Sequence, residues 1–506
     1  MKRIADGLGK LNWGTRVHTV FALCAMTAIA LPAQTLTTLY SFDSTAGAYP
    51  SRGLVQAANG DFYGTTYGGG ANGGGAVFKI TPSGTLTTLY SFDGADGGLP
   101  SGGLVQAANG DFYGTTYDGG ANCSPYGCGT IFKITLSGML TMLHSFDGAD
   151  GAYPYAGLVQ ATNGDLYGTT YDGGANCLPD GCGTIFRITP SGTLTTLYTF
   201  CSQTGCADGQ NPYAGLAQAT NGDFYGTTYA GGANCPAGGC GTIFKITPSG
   251  SLTTLYTFCS QTGCADGQNP EGRLVQATNG DFYGTTYAGG ANCPPNGCGT
   301  IFKITPSGML TTLYSFCSQS GCSDGELPIA GLVQATDGSF YGTTAYGGAN
   351  EGGGGSSAGT VFKITPMGAL TTLYNFCSQS ACVDGSYPVA ALVQATNGDF
   401  YGTTFFGGTS ATCYLGCGTV FDLSVGLGPF VVTQPTSGKV GMPVKILGTN
   451  LTGATSVTFN GTAAVFQVLS SSEIKASVPA GATTGTVEVV IPRGALSSNV
   501  TFRVLP

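Results

Sequence analysis

The chain has 506 residues and a formal charge of -9, and it has no basic run that could attract nucleic acid or an anionic membrane surface. Gly is abundant, with 87 residues, and only 8% of the residues are charged. A disordered chain is nevertheless excluded, because 26 Tyr and 27 Phe supply enough aromatic surface to bury a large core.

The first 33 residues have the pattern of an export signal. Four basic residues precede an apolar run over residues 17–31, and the favoured cleavage site lies between Ala33 and Gln34. A membrane anchor is the alternative, but about 15 apolar residues fall short of the roughly 20 that span a bilayer. Cys24 lacks the small preceding residue expected at a lipidated cysteine. We therefore expect a secreted or cell-surface protein with no membrane span in its mature chain.

One stretch, Asn59-Gly-Asp-Phe-Tyr-Gly-Thr-Thr-Tyr67, dominates the chain after the signal. An Asn-Gly or Asp-Gly turn followed by an aromatic and Thr-rich run is typical of a β-hairpin. Nearly the same motif recurs six times, in copies that begin at Asn109, Asn163, Asn221, Asn279, Asp337 and Asn397. The chain therefore contains seven copies of one structural unit.

Each copy predicts four strands within a repeat of about 50 to 60 residues, the period of a β-propeller blade. A parallel β-helix is the alternative, but its coils are shorter and lack tight antiparallel hairpins. The last blade, residues 391–424, lacks a fourth strand, and residues 36–42 supply a spare one. We expect an all-β, seven-bladed propeller over residues 34–424, closed by its N-terminal strand.

The strand order also sorts the loops into two faces. The turns after strands one and three are tight and uniform, whereas the loops after strands two and four are long and variable. The long loops carry every cysteine pair, so we call their side the stapled face and the other the plain face. Binding usually concentrates on loops held by a rigid scaffold, so we expect function on the stapled face.

The cysteines outside the signal form nine close pairs. Because pairs appear or vanish together, each Cys is predicted to bond its near neighbour in an oxidising compartment. Zinc sites are the alternative, but they need two such pairs or added histidines, and His18 and His144 are the only histidines. The predicted disulfides are Cys123/Cys128, Cys177/Cys182, Cys201/Cys206, Cys235/Cys240, Cys259/Cys264, Cys293/Cys298, Cys317/Cys322, Cys377/Cys382 and Cys413/Cys417.

The position after Gly-Thr-Thr is aromatic in six of the seven copies and starts a long loop. Such a ring could stack on sugars, since an aromatic side chain presents a flat apolar face with a polar edge. Packing between blades is the alternative. The candidate binding residues are Tyr67, Tyr117, Tyr171, Tyr229, Tyr287 and Phe405, with Ala345 at the seventh position.

Three repeated polar features have structural interpretations. Asp61 and its equivalents lie diagonally across from Lys79 and suit a turn cap or ion pair. The repeated glutamines, from Gln56 to Gln394, are expected to line the channel or bond backbone there. The Asp93 to Asp96 loop hints at calcium, but it supplies too few carboxylates for the six to eight oxygens that calcium takes. We predict no metal and no cofactor.

An enzyme needs unlike groups that converge at one point. The residues that break the repeat are scattered over different blades, and no nucleophile elbow, phosphate loop or zinc motif accompanies them. A Glu271–Glu326 pair would serve glycoside chemistry only at a separation of about 5 to 9.5 Å. The repeat-breaking residues are Arg52, His144, Glu271, Arg273, Glu326 and Glu351.

After a short linker, residues 425–428, the cysteines stop and short alternating strands fill residues 429–506. About this number of residues in that pattern fits a small immunoglobulin-like β-sandwich.

Two resemblances extend this interpretation. Residues 36–424 resemble the Gloeo-Verruco (GloVer) tandem repeat of exported bacterial proteins, a resemblance that implies no defined activity. The motifs that carry it are Leu-Val-Gln-Ala, Gly-Asp-Phe-Tyr-Gly-Thr-Thr and Gly-Thr-Ile-Phe-Lys-Ile-Thr. Residues 429–506, with Gly448-Thr-Asn-Leu451 and Val457-Thr-Phe-Asn-Gly461, look like an IPT/TIG domain. Such domains serve as adhesive modules of surface proteins or as parts of transcription factors, and export favours the first.

The sequence therefore predicts an exported, non-catalytic binding or adhesion protein. Its partner would be a polysaccharide or a cell-surface protein, contacted by the stapled face. The alternative is a secreted carbohydrate-active enzyme, a glycoside hydrolase or lyase, that acts on the same face.

Overall fold

A computed structural model describes residues 34–123, 125–177, 181–234, 239–293, 297–350 and 358–505. The predicted signal segment, Cys235 and Glu351 lie outside these residues. In the described part of the chain, no helix is long and apolar enough to cross a membrane.

Within the described residues, seven four-stranded antiparallel sheets, here repeat sheets 1 to 7, follow the sequence repeat. The first strands are short: Val55–Gln56, Val105–Gln106, Val159–Gln160, Ala217–Gln218, Val275–Gln276, Val333–Gln334 and Val393–Gln394. The second strands carry the Gly-Thr-Thr motif: Phe62–Thr66, Phe112–Thr116, Leu166–Thr170, Phe224–Thr228, Phe282–Thr286, Phe340–Thr344 and Phe400–Thr404.

The third and fourth strands complete each sheet. The third strands are Ala76–Ile80, Thr130–Ile134, Thr184–Ile188, Thr242–Ile246, Thr300–Ile304, Thr360–Ile364 and Thr419–Ser424. The fourth strands are Leu86–Ser91, Leu140–Ser145, Leu194–Thr199, Leu252–Thr257, Leu310–Ser315, Leu370–Asn375 and, in repeat sheet 7, the N-terminal Thr35–Ser41. Single 3₁₀ turns stand at Thr204–Cys206, Thr262–Cys264, Ser320–Cys322 and Ser380–Cys382.

The second strand of each sheet is buried on both faces, which explains its composition. A Cβ at Gly64 would stand 2.7 Å from Cζ of Phe78, so only glycine lets the third strand's phenylalanine approach. The same close approach recurs at the equivalent glycines, for example 2.5 Å at Gly114. The Gly-Thr-Thr motif is therefore a packing requirement of the sheet interior.

Adjacent sheets are joined by two repeated contacts. Tyr63 of repeat sheet 1 stacks on Phe112 of repeat sheet 2 with ring centroids 4.3 Å apart. The side-chain oxygen of Gln106 accepts a hydrogen bond from the backbone N–H of Ala58 at 3.3 Å. The expectation that these glutamines bond backbone is met, because the same bond recurs around the repeat.

The same two contacts join repeat sheet 7 to repeat sheet 1. Tyr401 stacks on Phe62 with centroids 4.0 Å apart, and Gln56 accepts a hydrogen bond from the N–H of Thr396 at 3.0 Å. The N-terminal strand pairs antiparallel with Thr419–Ser424 in the same sheet. The first and last sheets thus meet as any two neighbours do.

The C-terminal region is a two-layer β-domain with one apolar core, which includes Ile446, Val489 and Phe502. One sheet orders its strands as Val432–Gln434, Pro443–Leu447, Glu473–Ser477 and Phe466–Val468. The other orders them as Thr462–Ala463, Ser456–Phe459, Val487–Ile491 and Gly494–Ser497, and Ser437–Lys439 pairs in parallel with Arg503–Leu505.

This domain rests on the plain face of the repeat sheets. Ser472 donates a hydrogen bond to the backbone oxygen of Ala58 in repeat sheet 1 at 2.9 Å. The hydroxyl of Thr396, in repeat sheet 7, lies 2.8 Å from that of Thr449. Arg503 donates to the backbone oxygen of Thr220 in repeat sheet 4. The stapled face is therefore left free of these contacts.

Candidate functional site

One pocket lies where the segments that lead into all seven first strands converge, at the stapled end of the sheets. We call it the axial pocket; its volume is about 200 Å³. The segments have the same framework in each repeat, a proline followed by three residues and a leucine. The prolines are Pro50, Pro100, Pro154, Pro212, Pro270, Pro328 and Pro388.

The backbones of these segments are tightly packed around the pocket. A Cβ at Gly157 would stand 2.5 Å from the backbone oxygen of Gly103, and one at Gly53 would stand 2.8 Å from that of Ala391. Glycine therefore recurs at the third position after the proline. Arg273 and Ala391 are the exceptions, and Arg273 carries the longest side chain of this position into the pocket.

The first position after the proline varies most. It is Ser51, Ser101, Tyr155, Tyr213, Glu271, Ile329 and Val389 in repeat sheets 1 to 7. Five of these residues, Tyr155, Tyr213, Glu271, Ile329 and Val389, line the axial pocket. The repeated scaffold thereby holds an asymmetric set of aromatic, acidic and apolar groups.

Glu271 is largely enclosed by protein. Burial raises the pKa of its carboxyl to about 7, and the opposing effect of the Arg52 guanidinium is smaller. A carboxyl with this pKa exchanges its proton near neutral pH, which is the behaviour expected of a functional site.

Two guanidinium groups accompany this carboxyl. Arg52 donates a hydrogen bond from Nε to the backbone oxygen of Ser101, and its Cζ lies 5.5 Å from the ring centroid of Tyr213. Arg273 presents surface to the pocket, but protein surrounds it densely enough that desolvation lowers its pKa. An arginine stays charged even so, and the pocket therefore holds two positive charges.

Aromatic side chains form one wall of the pocket. Tyr155 and Tyr213 stack with ring centroids 4.7 Å apart. Tyr155 also contacts Tyr117 at 4.7 Å and Tyr171 at 5.3 Å, which extends the aromatic surface toward the loops. Burial, followed by a hydrogen bond with Tyr117, raises the pKa of Tyr155, so its hydroxyl stays protonated.

The six predicted binding aromatics are half-buried. Phe405 stacks on Tyr49 at 5.1 Å, which is packing between neighbouring sheets. Burial, and then nearby groups that include Glu271, raises the pKa of Tyr171 to about 12 and also that of Tyr229 and Tyr287. The charge of Glu271 therefore acts on these three hydroxyls, although the tyrosines are not among the residues that line the axial pocket.

The expectation that the repeat-breaking residues stay scattered is wrong for three of them. Arg52, Glu271 and Arg273 line the same pocket, although they come from repeat sheets 1 and 5. Glu326 lies elsewhere, with its Oε2 atom 3.6 Å from Sγ of Cys298. His144 takes the place of the usual tyrosine on the fourth strand and lies 2.6 Å from the carboxylate of Asp150.

Sequence reasoning missed Tyr155 and Tyr213. Both belong to the variable position after the repeated proline, and an alignment of the seven copies singles this position out. This position precedes the first strand and lies outside the repeated motifs, so the repeat pattern alone does not mark it as a site.

The cysteines form disulfides between near neighbours on the stapled face. Two such pairs from adjacent loops come close together: the Sγ atoms of Cys177, Cys182, Cys201 and Cys206 all lie within 4.8 Å of one another. The disulfides of the described residues include Cys123–Cys128, Cys177–Cys182, Cys201–Cys206, Cys259–Cys264, Cys293–Cys298, Cys317–Cys322, Cys377–Cys382 and Cys413–Cys417.

The loop and turn carboxylates make local bonds. Asp93 accepts hydrogen bonds from the N–H groups of Ala95 at 3.0 Å and of Asp96 at 3.4 Å, and Asp96 accepts one from the Tyr90 hydroxyl. Asp61 lies 3.7 Å from the Lys79 ammonium. The same ion pair recurs in other repeat sheets, so we interpret it as a structural contact of the repeat and not as part of a binding site.

Comparison with solved structures gives matches of low sequence identity. A fungal alcohol oxidase of the AA5 family, in complex with copper, is 13% identical with a TM-score of 0.50 and aligns over 93% of this chain and 99% of its own. A gluconolactonase from Xanthomonas campestris is 15% identical with a TM-score of 0.38, over 78% of this chain and 90% of its own. At 13% identity, the similarity to the alcohol oxidase concerns the fold alone.

A third structure, the PQQ-bound aldose sugar dehydrogenase from Streptomyces coelicolor, is 15% identical with a TM-score of 0.39 and aligns over 78% of this chain and 99% of its own. No curated protein matches the chain. Family models match at both ends: residues 431–504 match the IPT/TIG domain, and residues 19–207 and 180–421 match the Gloeobacter/Verrucomicrobia repeat. The chain therefore belongs to the Gloeobacter/Verrucomicrobia repeat family and ends in an IPT/TIG domain.

Proposed function

We propose that the chain is an exported, non-catalytic binding protein whose stapled face contacts polysaccharide. The observation that carries this proposal is the axial pocket, where Arg52, Glu271 and Arg273 lie beside the stacked Tyr155 and Tyr213. Aromatic faces pack against sugar rings, and charged side chains hydrogen-bond their hydroxyl groups.

The proposed scaffold is a seven-bladed propeller closed between repeat sheets 7 and 1. Two observations support closure: the Tyr401–Phe62 stack and the Gln56–Thr396 hydrogen bond repeat the contacts found between the other sheets. Closure also brings the segments of all seven blades to one axis. A rigid ring is what an asymmetric pocket built from separate repeats requires.

Export is part of the proposal. The disulfides on the stapled face are expected in an oxidising compartment, outside a reducing cytosol. Each disulfide also constrains a loop of the stapled face. The loops therefore lose less conformational entropy when a ligand binds to them.

A secreted carbohydrate-active enzyme is the second candidate. It is favoured by Glu271, because a carboxyl with a pKa of about 7 can act as a general acid near neutral pH. Glu326 is not among the residues that line the pocket, and its carboxylate lies beside Cys298 and Cys317. Hydrolysis by a pair of carboxylates therefore lacks its second group in the described pocket, and binding remains the first proposal.

The test is an array of polysaccharides and cell-wall fractions probed with oxidised residues 34–506, with soluble products assayed in the same wells. We expect retention without released oligosaccharides, and loss of retention in Tyr213→Ala. The matched control is Tyr126→Ala, since Tyr126 is 75% exposed on a stapled loop. Released oligosaccharides that depend on Glu271 would establish the enzyme instead, and retention by surface proteins alone would overturn the polysaccharide assignment.

A further inference from the structure

We propose that the axial pocket binds the carboxylate of an acidic sugar unit at the end of a chain or branch. This inference rests on the polysaccharide-binding function proposed above and names the class of sugar.

The first argument is charge. Arg52 and Arg273 face the pocket with a single carboxyl, that of Glu271, among its lining residues. The whole chain is acidic, with a formal charge of -9, so a cationic pocket is a local departure. Arginine is well suited to this role because its planar guanidinium matches a carboxylate with two parallel N–H donors.

The second argument is the lack of partners. Among the described residues, the side chains of Glu271 and Arg273 make no hydrogen bond and no ion pair within 4.0 Å. Arg273 is exposed to the pocket, so the N–H donors of its guanidinium are available to an anionic ligand. Glu271 is partly shielded from water, and shielded charges are costly unless they are paired, which favours its neutral form.

The third argument is shape. The pocket's volume of about 200 Å³ lies below the usual range for drug-sized ligands, roughly 300–1,000 Å³, and suits one sugar unit better than a threaded chain. At the opposite end, the IPT/TIG domain contacts Ala58, Thr220 and Thr396. These residues belong to repeat sheets 1, 4 and 7; sheets 1 and 7 are neighbours, and sheet 4 lies across the proposed seven-membered ring from them. The domain then spans the axis at the plain end, so a ligand would enter the pocket from the stapled face.

The aromatic wall fixes how the sugar ring would sit. Tyr155 and Tyr213 offer a stacking surface beside the guanidinium of Arg52, whose Cζ lies 5.5 Å from the Tyr213 ring centroid. A uronate ring stacked on these tyrosines would direct its carboxylate toward Arg52 and Arg273, and its hydroxyls toward Glu271.

The pocket also implies a pH dependence. Burial keeps Glu271 protonated up to a pKa of about 7, so an acidic ligand meets less repulsion below this pH and more above it. Affinity for an acidic sugar should therefore fall as pH rises through 7, and Glu271→Gln should remove the change. The other titratable groups near this carboxyl do not change charge around pH 7, because the arginines stay protonated and the tyrosines stay neutral. They are Arg52, Arg273, Tyr171, Tyr229, Tyr287 and Tyr387.

The experiment uses calorimetric titration of oxidised residues 34–506 with trisaccharides of galacturonate, glucuronate and mannuronate, each paired with its carboxyl-reduced neutral counterpart. We expect at least one uronate to bind tenfold or more tightly than its counterpart. Arg273→Gln and, separately, Arg52→Gln should abolish this difference. Glu326→Gln, outside the pocket lining, should preserve it, and circular dichroism checks that each variant is folded.

The outcomes separate this inference from the proposed function. Equal binding of acidic and neutral trisaccharides would overturn the acidic-sugar assignment and leave polysaccharide binding intact. The same holds if only neutral polysaccharides are retained on the array. Failure of every saccharide on both assays would overturn the two proposals together.

Discussion

Replacing Glu271 with Gln should stabilise the protein at alkaline pH. Its carboxyl has a pKa raised by burial from 4.5 to about 7. Between these values the unfolded chain has released the proton while the folded chain retains it, so stability falls as pH rises through this window. Above pH 7 the deficit is constant, and the two pKa values correspond to about 3 kcal/mol. Glu271→Gln removes this ionisation cost.

The assay is urea unfolding of oxidised residues 34–506, followed by circular dichroism at pH 4 and pH 8. Glu271→Gln should be about 3 kcal/mol more stable than wild type at pH 8 and close to wild type at pH 4. Glu488→Gln is the matched control, because Glu488 is exposed in the C-terminal domain and should change little at either pH. Equal stability of Glu271→Gln and wild type at pH 8 would show that the pocket solvates the carboxylate, and would refute the reasoning.

Three further predictions concern the scaffold. Gln56→Ala removes the acceptor of the Thr396 N–H and should lower the free energy of unfolding by about 1–3 kcal/mol while increasing hydrogen exchange in the strand Thr35–Ser41. The control Gln276→Ala removes the equivalent bond to the Thr220 N–H, between repeat sheets 4 and 5. It should leave hydrogen exchange in Thr35–Ser41 unchanged. Replacing both Cys377 and Cys382 with Ser should lower stability by about 2 kcal/mol, from the loop-closure entropy of a bond between residues five apart; an unchanged urea midpoint would contradict this. Asp208→Ala removes the acceptor of the N–H groups of Ser202 and Gln203 and one of the two hydrogen-bond partners of the Tyr198 hydroxyl, and should cost about 3 kcal/mol. A loss below about 1 kcal/mol in urea unfolding would show that the loop rearranges.

The repeat sheets were predictable because their signals are local. An Asn-Gly turn and an aromatic, Thr-rich run define a hairpin within ten residues, and Asn59 does accept the N–H of Asp61 at 3.1 Å. The spare N-terminal strand was also predictable, since counting strands left residues 391–424 one short. Its pairing with Thr419–Ser424 follows the pattern of the other sheets.

The axial pocket was harder to predict because its members are distant in sequence. Arg52 and Glu271 belong to repeat sheets 1 and 5, and only the arrangement of the sheets around one space brings them together. The same reason hid the cysteine clusters. The disulfides Cys293–Cys298 and Cys317–Cys322 come from different loops, yet their four Sγ atoms lie within 4.8 Å of one another. Loops that are separate in sequence meet on the stapled face, and the spacing of cysteines along the chain does not show this contact.

The central claim is that ligands bind in the axial pocket on the stapled face. The most direct measurement is hydrogen exchange of oxidised residues 34–506, with and without a polysaccharide that the array retains. We predict protection of the backbone around Arg52, Tyr155, Tyr213 and Glu271, where the segments enter the first strands. Protection confined to the plain-face turns, such as residues 109–110, or to the C-terminal domain would contradict the account.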